Sequence, residues 1–482
     1  MSMIRVCSQT IRSSSQNSIQ FVFKSAFLVC LCGLLSACFT SKQIRTDVVE
    51  GNCVWDDIDC SESVIQKHPQ FDLAFIEFTE RGNLFNRSDT DKVYEFVNRE
   101  AISEKGAAVF VFVHGWKHNA EDDDSNVVQF KEFLARAAEN EVVGQRKVIG
   151  IYLGWRGDIT TIPGVRNLSY WSRKNVAEEV GQGGATEVFT RLHQILVAQF
   201  SEAERNGPLH KNNYVLIGHS FSGAIIVSAL HDLLLRDLIG ARPILPIDGI
   251  AECKKVNRFA DALVLLNPAI EANKVIQLKE ASARCQFGEE QPKLMHVLSS
   301  EADNATQIYF PLGQGFRLIK TLVPKILPRM INNRAVLLDE SQLNNITVGN
   351  LEQIRTGYMF YSPDTKDWEF KRCRDGLDEC GVSTKTQQDN YIWTRRYDPL
   401  VFIQTDKKFI RNHNDVFGCY VQSYITAIIF ETQSIDTGYL GQKSLLGDLE
   451  GESQRSFGCS YSDFSFKQCF NNQLSDYDCE LP

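Results

Sequence analysis

The 482-residue sequence lacks a long apolar run and lacks an excess of positive charge. Its apolar stretch at residues 26–35 is too short to remain in a membrane as a spanning helix, which needs about 20 apolar residues. Lysine and arginine total 51 against 60 aspartate and glutamate residues, so a general attraction for nucleic acid or anionic lipid is excluded. The sequence also has no internal repeat, coiled-coil heptad or strong glycine-rich phosphate loop, which excludes solenoids, coiled coils and P-loop enzymes.

The first 37 residues have the composition of a signal peptide. Their only charged residues are Arg5, Arg12 and Lys24, and the apolar stretch ends in Leu35-Ser36-Ala37-Cys38. This ending resembles the lipobox of bacterial lipoproteins, which implies cleavage before Cys38 and a lipid on its thiol. An ordinary secretory signal cut nearby is the alternative.

Removal of the signal peptide makes the chain more acidic. The 51 basic residues fall to 48 against 60 acidic residues, which changes the formal net charge from −9 to −12. The lipid, and not charge, would then hold the protein at a membrane. Phe39 stands where an aspartate would retain an enterobacterial lipoprotein at the inner membrane, so the resemblance implies the outer membrane of a bacterial cell envelope. We expect residues 38–70 to form a polar tether.

Ten of the 14 cysteines remain once the signal peptide is removed and Cys38 is set aside as the lipid site. An even number in an exported protein predicts disulfides and not metal ligands. Short loops favour the pairs Cys53–Cys60 and Cys373–Cys380, and Cys253–Cys285 is a third candidate. The sequence does not pair the other four, which are Cys419, Cys459, Cys469 and Cys479.

Apolar runs alternate with helical stretches through most of the chain. The runs at 107–113, 147–153, 214–217, 262–266, 294–298 and 400–403 are typical of buried parallel strands, and an early strand is predicted at 71–78. Helices are predicted over 91–104, 126–139 and 186–204. This pattern predicts an α/β fold with a doubly wound, mostly parallel sheet at 71–430. The alternation is lost at 305–397, which we interpret as an insertion, and residues 431–482 form a cysteine-bearing appendage.

A serine lies at the centre of the most informative stretch, Gly218-His219-Ser220-Phe221-Ser222-Gly223, between an apolar run and a helical one. At such a strand-to-helix turn the serine hydroxyl is pushed out beside the amide groups of a helix N-terminus, where a nucleophile is needed. Ser222 stands where the usual pattern has glycine. The alternative is an ordinary turn with a helix cap.

Two further residues follow later strands of the same predicted sheet. Because the carboxyl ends of parallel strands meet at one edge, Asp303 and His413 are expected beside Ser220. A serine hydroxyl needs a base to take its proton, and an imidazole needs a carboxylate to orient it. Glu301 competes with Asp303 for the carboxylate role because strand ends are hard to place.

Three other polar residues are interpreted as structural. Asp261 begins a strand and therefore lies at the opposite edge of the sheet. Asp415 is expected to cap the helix that follows it. His219 is expected to be a packed or hydrogen-bonding neighbour of the serine.

These residues, together with His114-Gly115-Trp116 after an early strand, resemble the α/β-hydrolase superfamily over residues 71–430, and more narrowly a poorly characterised bacterial branch with a His-Gly-Trp-Lys-His-Asn stretch. The resemblance implies that Ser220 is the nucleophile, His413 the general base and acid, and Asp303 the orienting carboxylate. It implies an oxyanion hole of the Trp116 and Phe221 backbone amides. No metal and no organic cofactor is required.

The sequence therefore predicts a lipid-anchored serine hydrolase that cleaves a carboxylic acyl or lipid ester. The membrane is its expected partner through the anchor, nucleic acid is not, and no oligomeric state is predicted. A thioesterase or peptidase of the same fold is an alternative. Another is a non-catalytic envelope lipoprotein that uses the fold for binding. The apolar and basic residues at 316–328 are compatible with a lid or with a packed surface segment.

Overall fold

The structure is a computed structural model that describes residues 42–46, 51–52, 63–140, 143–157, 169–200, 212–244, 249–317, 326–331, 334–362, 367–373, 397–436 and 455–456. It has a mostly parallel central sheet with helices on both faces, which confirms the predicted α/β class.

The strands of the described chain are β1 (Gly51–Asn52), β2 (Ile65–Lys67), β3 (Asp72–Glu77), β4 (Ala107–Val113), β5 (Lys147–Gly154), β6 (Asn213–His219), β7 (Ala251–Glu252), β8 (Ala262–Leu266), β9 (Cys285–Gln286), β10 (Met295–Ser300), β11 (Ile326–Ile331), β12 (Arg334–Asp339), β13 (Gly357–Ser362), β14 (Asp367–Arg372), β15 (Leu400–Thr405) and β16 (Arg455–Ser456). Twelve of them form the central sheet in the order β1-β2-β3-β5-β4-β6-β8-β10-β15-β13-β14-β16. From β3 to β13 every neighbouring pair is parallel.

The α-helices are α1 (Arg87–Ala101), α2 (Ser125–Glu139), α3 (Tyr170–Val180), α4 (Thr186–His193), α5 (Ser222–Ala241), α6 (Asn273–Ala283), α7 (Phe310–Arg317), α8 (Glu340–Asn345) and α9 (Cys419–Asp436). Short π-helical segments at Gly181–Ala185, Gln194–Ala198 and Ala305–Tyr309 adjoin α3, α4 and α7. Among the described helices none has the length and apolarity to span a membrane.

The sheet forms where the chain is continuously apolar. Every residue of β4 is buried, and its neighbours β5 and β6 are buried over almost their whole length. Alternate side chains of these strands pack on opposite faces, which creates two hydrophobic cores. One core lies under α1, α3, α4, α5 and α6, and the other lies under α2 and α9. The carboxyl ends of β4, β6, β8, β10 and β15 therefore share one edge, which we call the carboxyl edge.

The folded body begins earlier in the sequence than position 71. β2 pairs with β3 inside the region predicted to be a tether, and the segment 42–46 also docks on the domain. The Arg45 side chain is fully buried: its guanidinium lies over the Phe75 ring and donates hydrogen bonds to Ala120 O and the Asp122 carboxylate. The Arg45 amide donates to Glu77 at the end of β3. Parts of the segment predicted to be a polar tether over 38–70 are therefore docked on the domain.

The region predicted as an insertion contributes to the sheet itself. β13 pairs in parallel with β15, and β14 pairs with β13, so residues 357–372 extend the sheet beyond the strand that precedes His413. Only the β11–β12 hairpin stands apart as a separate sheet. The apolar and basic stretch at 316–328 lies mainly outside the described residues, so its role as a lid or a packed segment stays open.

A disulfide joins Cys253 to Cys285 and fastens the short β7–β9 ladder at the amino edge of the sheet. Cys373 and Cys419 are also disulfide-bonded. Cys38, Cys53, Cys60 and Cys380 lie outside the described residues, so the pairs Cys53–Cys60 and Cys373–Cys380 and the lipid site stay predictions.

Candidate active site

Ser220 occupies a strained turn between β6 and α5. Its φ is +58°, a left-handed conformation that few residues other than glycine adopt. The turn is held from both sides, because the Ser220 amide donates to Leu266 O and the Ser220 carbonyl accepts from the Gly223 and Ala269 amides. The residue is 4% exposed. The turn thus aims the hydroxyl away from the sheet at the carboxyl edge, as the predicted nucleophile geometry requires.

Ser222 fits where the usual pattern has glycine. It is buried, and its hydroxyl donates a hydrogen bond of 2.7 Å to the His219 carbonyl. Gly218 makes the room, since a Cβ atom there would lie 2.6 Å from Ile226 Cδ1 and 3.2 Å from Ser222 Oγ. The close approach to the turn after β8 occurs one residue later, at Gly223, where a Cβ atom would lie 2.8 Å from Pro268 Cβ.

The three residues predicted to act together lie within hydrogen-bond distance. Ser220 Oγ is 2.9 Å from His413 Nε2, and His413 Nδ1 is 2.9 Å from Asp303 Oδ1. Since a carboxylate only accepts hydrogen bonds, Nδ1 carries the proton and donates to Asp303, which leaves Nε2 free to accept from the serine hydroxyl. Ser220 and His413 are 193 positions apart in the sequence, and Asp303 and His413 are 110 positions apart.

Asp303 is fully buried, and its carboxylate is saturated with donors. Oδ1 also accepts from the Ala305 and Thr306 amides, and Oδ2 accepts from the Thr306 hydroxyl at 2.6 Å. Asn350 Nδ2 in turn donates to that hydroxyl. These hydrogen bonds fix the direction of the carboxylate toward His413.

The competing carboxylates lie elsewhere. Glu301 is exposed and interacts with Tyr358, so it does not orient His413. Asp261 accepts from the Tyr214 amide at the start of β6, at the opposite edge of the sheet. Asp415 does not cap the following helix: its carboxylate accepts from the Arg411 amide and pairs with the Arg411 side chain, because the chain turns there before α9 begins at Cys419.

Two buried side chains hold the backbone of His413, and the sequence interpretation missed this role. His219 Nε2–H donates to the His413 carbonyl at 2.7 Å, and Asn267 Nδ2 donates to the same oxygen at 3.2 Å. Asn267 Oδ1 accepts from the Ser300 amide, which ties β8 to β10 at the same point. Burial, with the nearby His413 ring as a smaller cause, lowers the pKa of His219 well below its usual value, so its ring stays neutral.

A signal for Asn267 exists in the sequence. It is a polar residue that follows the apolar run 262–266 and precedes Pro268, at the carboxyl end of the strand next to that of Ser220. Its φ of +43° is a conformation that asparagine tolerates better than most residues.

The turn after β4 brings the Trp116 amide beside Ser220. A Cβ atom on Gly115 would lie 3.1 Å from Ser220 Cβ, so a larger residue there would push the two turns apart by a few tenths of an ångström. Lys117 follows with a φ of +72° and donates its amide to Gly157 O. Within the described residues nothing accepts a hydrogen bond from the Trp116 or Phe221 amide. Both predicted oxyanion donors are thus unengaged next to the serine.

His114 fixes the shape of that turn. Its Nδ1–H donates to Gly115 O at 2.8 Å, and its Nε2 accepts from the Trp155 amide at 3.1 Å. The ring is stacked between Tyr152 and Trp155. Complete burial lowers the pKa of His114 to about 4, which keeps Nε2 unprotonated so that it can accept.

An aromatic cluster flanks the serine on the side of the helices. The Trp116 ring stacks on Phe221, and Tyr170 contacts both rings edge-on. Phe310 of α7 contacts Tyr170 in turn. Such a surface is apolar and partly exposed at Trp116. Among the described residues no group of three or more His, Cys, Asp or Glu side chains is arranged to hold a metal ion.

No protein-family model and no curated protein matches the chain. A solved structure with some similarity is the phospholipase PlaB from Legionella pneumophila in complex with thio-NAD, at 11% identity and a TM-score of 0.25. The match covers 72% of this chain and 67% of that one.

Replacement of Asn267 by alanine should loosen His413 without removing it. We expect Ser220 to react about 10- to 100-fold more slowly with a fluorophosphonate, because a shift of about 1 Å in a base has effects of this size. The Asn267→Asp variant keeps the acceptor to Ser300 but loses the donor to His413, so it should be slow as well. The rate of label incorporation measures the effect. If both variants react as fast as the wild-type protein, Asn267 does not position His413.

The His114→Phe variant should change how stability depends on pH. The ring stacking remains but two hydrogen bonds are lost, so we expect the free energy of unfolding to fall by about 1–3 kcal/mol at pH near 7. The folded-state pKa of His114 is about 4 and the unfolded value is about 6.5, so the unfolded wild type binds the extra proton as the pH falls between these values. The wild type should lose up to about 1.4 kcal/mol per pH unit there on account of His114, and the variant should not.

Urea unfolding of both proteins at neutral pH and at about pH 4.5 measures the effect. The stability difference between them should shrink on acidification. A difference that stays constant or grows would show that His114 is not buried in its neutral form.

Proposed function

We propose that the protein is a serine hydrolase that cleaves an acyl ester through a covalent intermediate on Ser220. The observation that carries the proposal is the hydrogen-bonded series Ser220–His413–Asp303. His413 Nε2 lies 2.9 Å from Ser220 Oγ, and His413 Nδ1 lies 2.9 Å from Asp303 Oδ1. These distances and the orientation of His413 Nε2 meet the requirements of a nucleophile with its base.

The reaction follows from the roles of the three side chains. His413 Nε2 takes the proton as Ser220 Oγ bonds to the carbonyl carbon of the ester, and the Trp116 and Phe221 amides stabilise the oxyanion. Collapse of this intermediate breaks the bond to the alcohol oxygen, which receives the proton from His413. Water then attacks the acyl-enzyme with His413 again as base, and the carboxylic acid and free Ser220 are released. Asp303 stabilises the imidazolium throughout.

The apolar surroundings of Ser220 favour a hydrophobic acyl group. Trp116, in the turn next to Ser220, is partly exposed, and its ring packs on the buried ring of Phe221 and on Tyr170. Aromatic walls of this kind bury hydrocarbon and offer few polar partners to an amide or peptide substrate. We therefore propose a carboxylic ester of a lipid or similar acyl compound as the substrate class.

We also propose that a lipid on Cys38 holds the enzyme in the bacterial cell envelope, with the outer membrane as its expected place. The support is the sequence Leu35-Ser36-Ala37-Cys38 after an apolar stretch without acidic residues. A lipidated enzyme would remain next to membrane esters.

Substitutions of the serine and of the aspartate test the mechanism. The Ser220→Ala variant should lose fluorophosphonate labelling and ester hydrolysis, because no other hydroxyl contacts His413 Nε2 in the described chain. The Asp303→Asn variant should lower turnover by about 10⁴-fold, since the orientation of the histidine is lost. Ser222→Ala is the matched control: its hydroxyl bonds to the His219 carbonyl and not to His413, so labelling should persist.

The same experiment separates the alternatives. A wild-type protein that does not label, or a Ser220→Ala variant that labels equally well, would favour the binding lipoprotein. Labelling at Ser220 together with turnover of thioesters or peptides in preference to oxygen esters would keep the mechanism and change the substrate.

Lipidation of Cys38 is tested apart from catalysis. Cells that express the protein should incorporate labelled fatty acid into it, and the Cys38→Ala variant should not, because the thiol is the attachment point. Incorporation that is unchanged in the variant would contradict the anchor. Phosphonate labelling of Cys38→Ala should persist, since the site at the carboxyl edge does not include that residue.

A further inference from the structure

An exposed apolar surface lies just beyond the candidate active site. Ile308, Tyr309 and Leu312 are the exposed large apolar residues of the helical stretch from Ala305 to Arg317, and we call them the apolar rim. On the opposite side of the stretch, the side chains of Thr306, Phe310 and Gln314 are buried. One face of the stretch thus already packs against the main body. The apolar rim is a second face, and it is exposed to solvent.

The apolar rim belongs to the carboxyl edge. It begins five residues after Asp303, and Thr306 of the same helical stretch bonds to the Asp303 carboxylate. Gln314 bonds to Glu271, which fixes the far end of the stretch against the main body. The apolar rim therefore has a defined position beside the Ser220–His413 pair, on the solvent side.

The N-terminal segment docks at the same edge. Ile44 and Arg45 donate their amides to the Glu77 carboxylate, at the carboxyl end of β3, and Arg45 is clamped by Ala120 O and Asp122. Cys38 precedes Lys42 by four residues, so the Cα atoms of the two residues lie at most about 14 Å apart even if the chain between them is fully extended. The anchor is thus tied closely to the carboxyl edge.

We propose that the carboxyl edge faces the membrane that carries the anchor, and that the apolar rim rests on the interface of its phospholipid bilayer. The proposal rests on the proposed lipid at Cys38. β3 and β10 are five strand spacings apart, about 24 Å, so the anchor and the apolar rim support the body at two separate points. Ser220, on β6 between them, then opens toward the lipid esters.

The charge of the whole chain favours a zwitterionic lipid surface over an anionic one, since 60 acidic residues outnumber 48 basic residues once the first 37 residues are removed. The acidic loop after β4 adds little to this, because Asp122 pairs with Arg45 and Lys131 and Asp124 bonds to His118. A zwitterionic phospholipid is compatible with apolar contact at Ile308, Tyr309 and Leu312.

A pair of tryptophan variants tests the orientation. Leu312 and Ile239 are each 60% exposed, but Ile239 lies near the end of α5, about 25 Å from the carboxyl edge. The lipidated full-length proteins Leu312→Trp and Ile239→Trp are reconstituted in vesicles of brominated phosphatidylcholine, which quenches tryptophan on contact. After subtraction of the wild-type emission from its six tryptophans, we expect the added emission at position 312 to fall about twofold or more and that at 239 to remain.

Each other result overturns the orientation. Equal quenching at both positions would mean that the body has no preferred face toward the bilayer. Emission at 312 that is unquenched would mean that the apolar rim does not touch the lipid. Thermal unfolding of the two variants checks that both are folded.

Two controls distinguish this inference from the proposed function. Fatty-acid incorporation in the same preparation reports the anchor, and its absence overturns both the anchor and the orientation. Phosphonate labelling of the wild-type protein in the vesicles reports Ser220. Quenching at 312 without labelling would leave a membrane-facing protein that is not a hydrolase, whereas labelling without quenching would leave a hydrolase that faces elsewhere.

Discussion

The left-handed backbone of Ser220 is the constraint on which the carboxyl edge depends. Such a conformation costs about 1–3 kcal/mol and persists only where the surroundings determine it. Here Leu266 of β8, Gly223 of α5 and Ala269 supply the hydrogen bonds, and Gly115 of the neighbouring turn leaves the space. The other described non-glycine residues with positive φ are Lys117 and Asn267, which follow β4 and β8 on either side. Strain is thus concentrated on three adjacent strand ends and offset by the buried sheet below them.

Much of this arrangement could be predicted because its signals are local. A continuously apolar run such as β4 indicates a strand buried on both faces, and parallel pairing then sends every carboxyl end to one edge. Once the edge is known, a residue can be assigned to the candidate site if it follows one of these strands and has a side chain suited to the reaction. That reasoning placed Ser220, Asp303 and His413 near one another, and the distances between them are the outcome.

The features that escaped prediction depend on partners far apart in the sequence. Arg45 looks like a solvated tether residue until Asp122, 77 positions away, and Glu77 meet it in the fold. Asn350 lies in a stretch without recognisable alternation, yet it supports the Asp303 carboxylate through Thr306. A hydrogen bond to a residue on another element leaves no periodic trace in the chain, so composition and spacing alone cannot reveal it.

The departure from the usual serine motif illustrates what such a motif encodes. Its glycines are requirements for space, and Ser222 is compatible because Gly218 vacates room for its hydroxyl while Gly223 takes the close contact with Pro268. The substituted hydroxyl then has a use. It donates to the carbonyl of His219, whose ring holds the carbonyl of His413. The two bonds use different parts of His219: the Ser222 hydroxyl holds its backbone carbonyl in the turn, whereas its ring holds the backbone of the base.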